Sequence, residues 1–360
     1  MKTIMYYPFE SKNNKYIEIS KNAISQCDIN IIPFEGNIKN TAALTSTSAA
    51  IFNWLESLNY EKTFGKQLYQ LVINIFKIEI LKLYGIKIIT TFHNKRNHDS
   101  EKVGIDLHFL FMKWLFRRAD AIIILSIDSQ KYLNDFLPES KWIDKIWYIP
   151  HPNYIGAYSP SISEVAYPNN SKMQILFIGL LKKYKNIELI IECAKKTQNL
   201  DVEYVIAGGC SEDFKRELES LVLKLKNVKL EFGFVSDNVV DRKIREADIL
   251  VLPYNTESSM NSGTVYLAFS NGRTVICPEI STVKEFNQND VYGYRYRNRE
   301  EHLMKLENTI RLAYNDWKNN RQEFECKGKR VFEAVKNQSS QNEILSRYQS
   351  MFDVLINNKN

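Results

Sequence analysis

Three segments of this chain carry residue types that could hold or move charge. Ile178–Asn186 (Ile-Gly-Leu-Leu-Lys-Lys-Tyr-Lys-Asn) follows a β-rich run and opens a helical pattern. Gly179 lets the backbone turn tightly, and Lys182 and Lys185 add positive charge where the N–H groups of a helix start already favour an anion. Phosphate or diphosphate binding is the functional reading, and an ordinary strand-to-helix turn with solvated lysines is the plain one. Pro253–Thr264 repeats the arrangement. Ser259, Asn261, Ser262 and Thr264 are helix-capping types, and Gly263 leaves the backbone open to a ligand. Any strand-to-helix connection needs such a cap, but two on one sheet edge point to one shared phosphate ligand.

The third segment, Thr91-Phe92-His93-Asn94, ends a strand and is followed by His98 and Asp99 in the same loop. Imidazole beside a carboxylate can orient a hydroxyl or relay a proton near neutral pH; a hydrogen-bonded structural histidine is the plain alternative. His151, held between Pro150 and Pro152, closes the last strand of the first half, either as a hinge or in contact with a cleft. Asp106–Arg118 is helical and apolar almost all round, with Asp106, Lys113 and Arg117 on one polar stripe. A buried helix is expected. The alternative sets Phe109, Met112, Trp114 or Phe116 at a membrane interface, with Arg117 and Arg118 near anionic headgroups.

The elements that must position these residues alternate from strand to helix, the signature of parallel sheets flanked by helices. In the first half, strands are expected at Lys2–Tyr7, Ile29–Pro33, Ile86–Thr91, Ala121–Ser126 and Ile146–Ile149. The pattern restarts with strands at Gln174–Gly179, Glu203–Gly208, Val228–Phe232, Asp248–Pro253 and Thr274–Pro278, and helices between them. Asn153–Asn170, rich in Pro, Ser, Asn and Tyr, reads as a linker, and Gln341–Ile356 as a terminal helix. The fold class is α/β, with two doubly wound Rossmann-like domains whose ligands bind at strand C-termini.

A chain of 360 residues suits two domains. Its 44% hydrophobic and 25% charged content excludes disordered, collagenous and disulfide-framed classes. The net charge of +6 is diffuse, which disfavours nucleic acid and suits phosphate-bearing small molecules or an anionic membrane surface. Five cysteines without a C-x-x-C pair indicate neither a disulfide framework nor a zinc site, so a reducing compartment is expected. There is no signal-peptide pattern and no apolar run of membrane-spanning length, hence a cytoplasmic protein or one at the inner face of the plasma membrane. No Walker loop, H-E-x-x-H, G-x-S-x-G or dinucleotide fingerprint occurs.

With these residues in place the chain resembles the GT-B glycosyltransferases of family 4, the group 1 transferases, over essentially its whole length. Phe177-Ile178-Gly179 with Lys182, Tyr184, Lys185 and Asn186 is similar to the family's strand–glycine–basic turn. Ala247–Pro253 is similar to its A-D-I-x-V-L-P strand, and Ser262-Gly263 through Gly272–Ile276 to the helix that ends in G-x-P-V-I. Thr91–Asn94 with His98-Asp99 resembles the T-x-H-N…H-[DE] loop of one branch, and Ala119–Ile123 with Ser126 its A-D-x-I-I-x-x-S strand. The resemblance implies a retaining, metal-independent transfer of a sugar from a nucleotide-sugar donor, UDP- or GDP-linked, to an acceptor hydroxyl on a glycan or lipid-linked glycan. It implies an acceptor-binding domain at 1–165, a donor-binding domain at 172–336, and a helix at 340–358 packing back on the first. Lys182, Lys185, Ser262, Gly263 and Thr264 would hold the diphosphate; Gly179, Gly208, Val235, Glu257 and Asn261 would lie near the donor sugar or nucleotide. His93 would be catalytic, and Asn14, Tyr16, Asn94, His98, Asp99 and His151 would line the acceptor side.

The sequence departs from the family at Leu267, where the second Glu of its Glu-x7-Glu pair would stand, and at Leu180, where many relatives carry arginine. The glycine-rich loop after the first strand is replaced by Glu10–Tyr16. Those departures admit a second expectation, a catalytically silent GT-B partner that stabilises another transferase. A GT-B sugar-nucleotide epimerase is the third.

Overall fold

The computed structural model describes residues 1–11, 14–58, 63–95, 106–158 and 165–357. The first half contributes β1 (Lys2–Tyr7), α1 (Lys15–Ser25), β2 (Ile29–Pro33), α2 (Phe34–Asn37), α3 (Thr41–Ser46), β3 (Thr47–Asn53), α4 (Phe64–Leu83), β4 (Lys87–Phe92), α5 (Leu107–Arg118), β5 (Ala121–Ile124) and β6 (Ile146–Tyr148). All its strand pairs are parallel, in the order β2-β1-β3-β4-β5-β6. The Ile- and Ala-rich strands are covered on both faces. On one face lie α1 and the C-terminal helix; on the other, Ile78 and Leu81 of α4 and Phe111 and Leu115 of α5 pack on Met5, Ala50 and Phe52.

The second half contributes β7 (Met173–Ile178), α6 (Ile187–Lys196), β8 (Val202–Gly208), α7 (Glu212–Val222), β9 (Val228–Phe232), α8 (Asp237–Glu246), β10 (Ile249–Val251), α9 (Gly263–Ser270), β11 (Val275–Pro278), α10 (Ser281–Lys284), β12 (Tyr292–Tyr294), α11 (Arg299–Asn319), α12 (Arg321–Gln338) and α13 (Gln341–Phe352). Its sheet runs β12-β11-β10-β7-β8-β9, again parallel. The order reverses between β7 and β10, so the chain leaves those neighbouring strands toward opposite faces and opens a crevice at their C-terminal ends. In the first sheet the same reversal lies between β1 and β3.

Two compact units result. One comprises Met1–Pro152, Glu257–Asn261 and Ser339–Asn360; the other, Asn153–Thr256 and Ser262–Gln338. The first stretch of the first unit stops at Pro152, where the linker read from composition begins. Asn153 donates its amide to the Val335 carbonyl at 3.0 Å and the Tyr154 N–H bonds Ser270 Oγ at 2.8 Å, which tie the start of the linker to the second unit. Helix α13 joins the first unit, burying Ile344, Tyr348, Met351 and Phe352 against Ile4, Tyr6, Tyr16 and Ile24. Each such burial stabilises by roughly 1.5–3 kcal/mol.

Two strands escape the sequence pattern. β3 begins Thr-Ser-Ala-Ala, which has neither β-branched density nor alternation, and the three-residue β12 is too short to show a period.

Candidate functional site

In the second unit, the crevice between β7 and β10 is built largely from backbone. Gly179, at φ +132°, leaves β7 and donates its N–H to the Ala207 carbonyl at 3.1 Å. Gly208 ends β8 at φ +153°, and a Cβ there would lie 1.8 Å from the Gly179 carbonyl oxygen, so only glycine fits. Beyond Gly179 the chain makes a short turn and enters α6 through Asn186, a left-handed residue at φ +52°. The Asn186 amide donates to the Pro253 carbonyl at 2.8 Å, which pins the loop after β7 to the loop after β10.

Lys185 turns back over this loop. Its Nζ lies 3.4 Å from where a Gly179 Cβ would stand and 5.8 Å from the Phe177 ring centroid. Burial pushes its pKa down to about 8. Its ammonium has no hydrogen bond or ion pair among the described residues. A desolvated cation without a counter-charge is an anion site in waiting. Lys182 is exposed at the entrance of the turn.

Across the crevice, Ser262 caps α9 by accepting the Val265 N–H at 3.3 Å, and its hydroxyl meets the Tyr254 hydroxyl at 2.9 Å. The Ser262 backbone N–H, expected to face a diphosphate, instead donates to Thr282 Oγ1 at 3.0 Å. That leaves the N–H groups of Gly263 and Thr264, half-exposed at the first turn of α9 and without acceptors among the described residues. Val235 is half-buried in the loop before α8. Asn261, expected near the donor, has its amide occupied within the first unit: it donates to the His93 carbonyl at 3.1 Å and accepts from Ser126 Oγ at 3.0 Å. Glu257, also grouped with the first unit, is exposed on a turn. Leu267 is a buried residue of α9, so that position offers no polar group to a ribose.

In the first unit the C-terminal sheet edge carries an aromatic cluster. His93, just past β4, stacks on Trp54 at 3.9 Å between ring centroids and meets the Tyr16 ring edge-on at 5.3 Å. Asn53, the last residue of β3, donates its amide to the Tyr7 carbonyl at 3.3 Å, which turns its Oδ1 toward His93 Nε2 at 3.0 Å. Since Oδ1 only accepts, Nε2 carries the proton and Nδ1 keeps a bare lone pair. Burial, with His151 nearby, holds the His93 pKa well below its usual value. At neutral pH His93 is therefore an uncharged imidazole that can accept a hydroxyl proton through Nδ1 or orient that hydroxyl.

His151 donates Nδ1–H to the Pro152 carbonyl at 2.9 Å and is pushed down to about 4 by burial. Tyr16 is buried beneath both histidines, 5.2 Å from the His151 ring, rather than exposed as an acceptor contact. Asn14 caps α1, its side chain accepting the Tyr16 N–H at 3.1 Å, a structural role that the acceptor expectation missed. Asn94 is half-buried beside His93. His98 and Asp99 lie outside the described residues. Helix α5 packs Met112 and Phe116 into the core and stacks Phe109 on Phe136 at 5.0 Å, while Trp114 is half-buried against Phe111 and Leu110 is exposed.

Sequence reasoning passed over Asn53 and Trp54, and also Glu56 and His108. Glu56 is 2% exposed, its Oε2 has no hydrogen-bond partner among the described residues, and burial pushes its pKa up to about 7. Its carbonyl lies 3.0 Å from His108 Nδ1, whose own Nε2 is buried without a partner among the described residues. Among the described residues no group of His, Cys, Asp and Glu is placed to hold a metal ion. Nor is any helix there long and apolar enough to cross a membrane.

Residues 160–331 match the family model described as glycosyl transferases group 1. Among curated proteins, a GDP-mannose:glycolipid 4-beta-D-mannosyltransferase of Xanthomonas campestris pv. campestris is 27% identical over 106 residues, 29% of this chain and 30% of that enzyme. The match thus spans under a third of its length. Among solved structures, Anabaena HepE in complex with UDP-glucose superposes with a TM-score of 0.67 at 13% identity, over 99% of this chain and 100% of that one. Sucrose-phosphate synthase from Thermosynechococcus elongatus gives 0.71 at 12% identity over 99% and 100%. A glycosyltransferase from Rickettsia africae gives 0.63 at 13% over 99% of both chains. With its two six-stranded parallel sheets and flanking helices, the protein has the two-domain α/β GT-B fold.

Proposed function

We propose that the chain is a group 1 glycosyltransferase that moves a sugar from a UDP- or GDP-sugar to a hydroxyl of a glycan or lipid-linked glycan. The reaction retains anomeric configuration and needs no bound metal. Its setting is the assembly of a surface polysaccharide or glycoconjugate in the cytoplasm, at the inner face of the plasma membrane. The observation that carries this is Lys185: a desolvated ammonium without a partner among the described residues, at the crevice where the first turn of α9 presents the Gly263 and Thr264 N–H groups. The bond from the anomeric carbon to the phosphate oxygen breaks as the acceptor oxygen bonds that carbon. The acceptor proton passes to the departing phosphate, and Lys185 with the α9 N–H groups stabilises the charge that develops there. Lys182 adds screening at the entrance. In the first unit, His93 Nδ1 accepts from and orients a sugar or acceptor hydroxyl.

Thermal unfolding with UDP, GDP, ADP or CMP tests the donor half. A nucleotide at about 100 times its dissociation constant adds roughly 2.7 kcal/mol. A shift with one diphosphate, abolished by Lys185→Ala, is the expected result. No shift with any of them overturns the donor assignment in favour of the silent partner. Turnover undiminished by EDTA is expected as well.

A second reading of the stereochemistry has its own observation. The Xanthomonas relative is named for a β-linked product. Inversion would need a base at the acceptor hydroxyl, and Glu56, with its raised pKa and unpartnered oxygen in the loop that follows β3, suits that task. The anomeric coupling of the product, read by NMR, separates the two. Retention together with unchanged turnover in Glu56→Gln removes the second reading.

A further inference from the structure

Helix α4 buries one face and leaves an apolar one in water. Leu71, Asn74, Ile78 and Leu81 face the core, whereas Phe64, Leu68, Tyr69, Val72, Phe76 and Leu83 are exposed, with Tyr69 at 70%, Phe76 at 65% and Leu83 at 85%. At about 100° per residue these six side chains fall within an arc of about 140°, along a helix about 30 Å long. Isolated exposed apolar residues are ordinary; a continuous stripe of this length marks an interaction surface.

Charge names the occupant. On one border of the stripe stand Lys66, exposed, and Lys77, half-buried with its ammonium 5.7 Å from the Phe34 ring; on the other stands Lys82, paired with Asp120 at 2.7 Å. The acid within the arc, Glu79, is held by Arg118. Beside the Lys66–Lys77 border opens a cavity of about 520 Å³ walled by both lysines, Tyr69 and Gln70, with Glu35 on its far side. A second copy of this chain would set lysine against lysine across the stripe, in a protein that already carries +6. An anionic bilayer complements both features, because the aromatic and aliphatic stripe enters the acyl boundary while the lysines stay at the phosphates.

We propose that α4 is a membrane-docking helix that seats the first unit on anionic lipid. This stands on the first unit alone and is independent of the donor assignment. Co-sedimentation of the full chain with vesicles tests it, comparing phosphatidylcholine alone with an equimolar mixture of phosphatidylcholine and phosphatidylglycerol. The chain should bind the mixed vesicles, weaken as salt is raised, and bind pure phosphatidylcholine less. Val72→Ser with Phe76→Ser should cut the bound fraction at least about tenfold. Melting temperature and any nucleotide-induced shift should be unchanged, which separates a lost surface from a lost fold or donor site. Should that pair unfold, Tyr69→Ser with Leu83→Ser, both on exposed positions, serves instead. Lys66→Gln with Lys77→Gln should remove the preference for anionic vesicles while leaving the weaker neutral binding. Absence of binding at low salt, or binding indifferent to the stripe, overturns the proposal. So does a lipid-free dimer in sedimentation equilibrium that Val72→Ser with Phe76→Ser dissolves, since it would assign the face to a second copy.

Discussion

The two units are clamped alike at one end of their sheets and differ at the other. Asp120, at the entry to β5, accepts the Ile88 N–H of the neighbouring strand at 2.7 Å; Asp248, at the entry to β10, accepts the Gln174 N–H at 2.8 Å. The same Ala-Asp pair thus fixes strand register in both. At the C-terminal edges the likeness ends. The second unit offers bare backbone and the Lys185 ammonium, unpaired among the described residues, an arrangement for anions. The first offers packed rings and a neutral imidazole, an arrangement for hydroxyls. Shared scaffolding sits at the strand starts and divergent chemistry at the strand ends.

Arg273 sharpens the point within the second unit. It is as buried as any residue, yet its guanidinium donates to the carbonyls of Ala247, Ala166 and Arg245 at 2.7–2.8 Å and stacks on Tyr167. That cation is satisfied and structural. Lys185 is desolvated and without a partner among the described residues, so removing its charge should cost function rather than fold.

The largest effect should follow at that point. Lys185→Ala is expected to lower turnover roughly 10²–10³-fold, as loss of one transition-state donor does, with circular dichroism unchanged. Full activity would erase the contrast with Arg273. Next, Met351→Ala should destabilise the first unit by about 2–5 kcal/mol in urea titration, because its side chain is fully buried between α13 and the sheet. A change below about 1 kcal/mol would mean the helix docks loosely.

On the hydroxyl side, Asn53→Ala releases the His93 tautomer and should lower transfer about tenfold, the value of one hydrogen bond, while nucleotide binding is untouched. Parallel loss of nucleotide binding would contradict the division of labour. The smallest effect concerns pH. Burial penalises the charged form of Lys185, so the free protein gains stability as pH rises from about 8 toward the ordinary lysine value. Diphosphate needs the ammonium, so its affinity should fall as pH rises through about 8, about fourfold between pH 7 and 8.5 by calorimetry. Lys185→Arg should flatten that profile.

The same contrast explains what could be read from sequence. Gly179, Lys185 and Ser262-Gly263 are local: glycine, cation and cap stand beside a strand end within a few residues, so linear order reveals them. The availability of each N–H is not local, and Thr282, distant in sequence, takes the one on Ser262. The His93 environment is assembled from the ends of β3 and β4, helix α1 and His151 beyond β6, and its decisive partner closes β3, the strand whose Ala-Ala start hid it. Helices α4 and α5 show the limit of hydropathy. Each is apolar on more than one face, so only packing reveals that α5 buries Phe111, Met112, Leu115 and Phe116 and that α4 presents its stripe to water.

The attachment of α13 to the first unit has a consequence for biosynthesis. A ribosome finishes residues 1–152 long before it reaches Ile344, Tyr348 and Met351, which complete the packing around Ile4 and Tyr6. Until then the nascent first unit must hold an unfilled apolar groove, while the second unit has all its own strands in hand. The unit made first is therefore the unit finished last, and during synthesis it is the half of the molecule that most needs a chaperone.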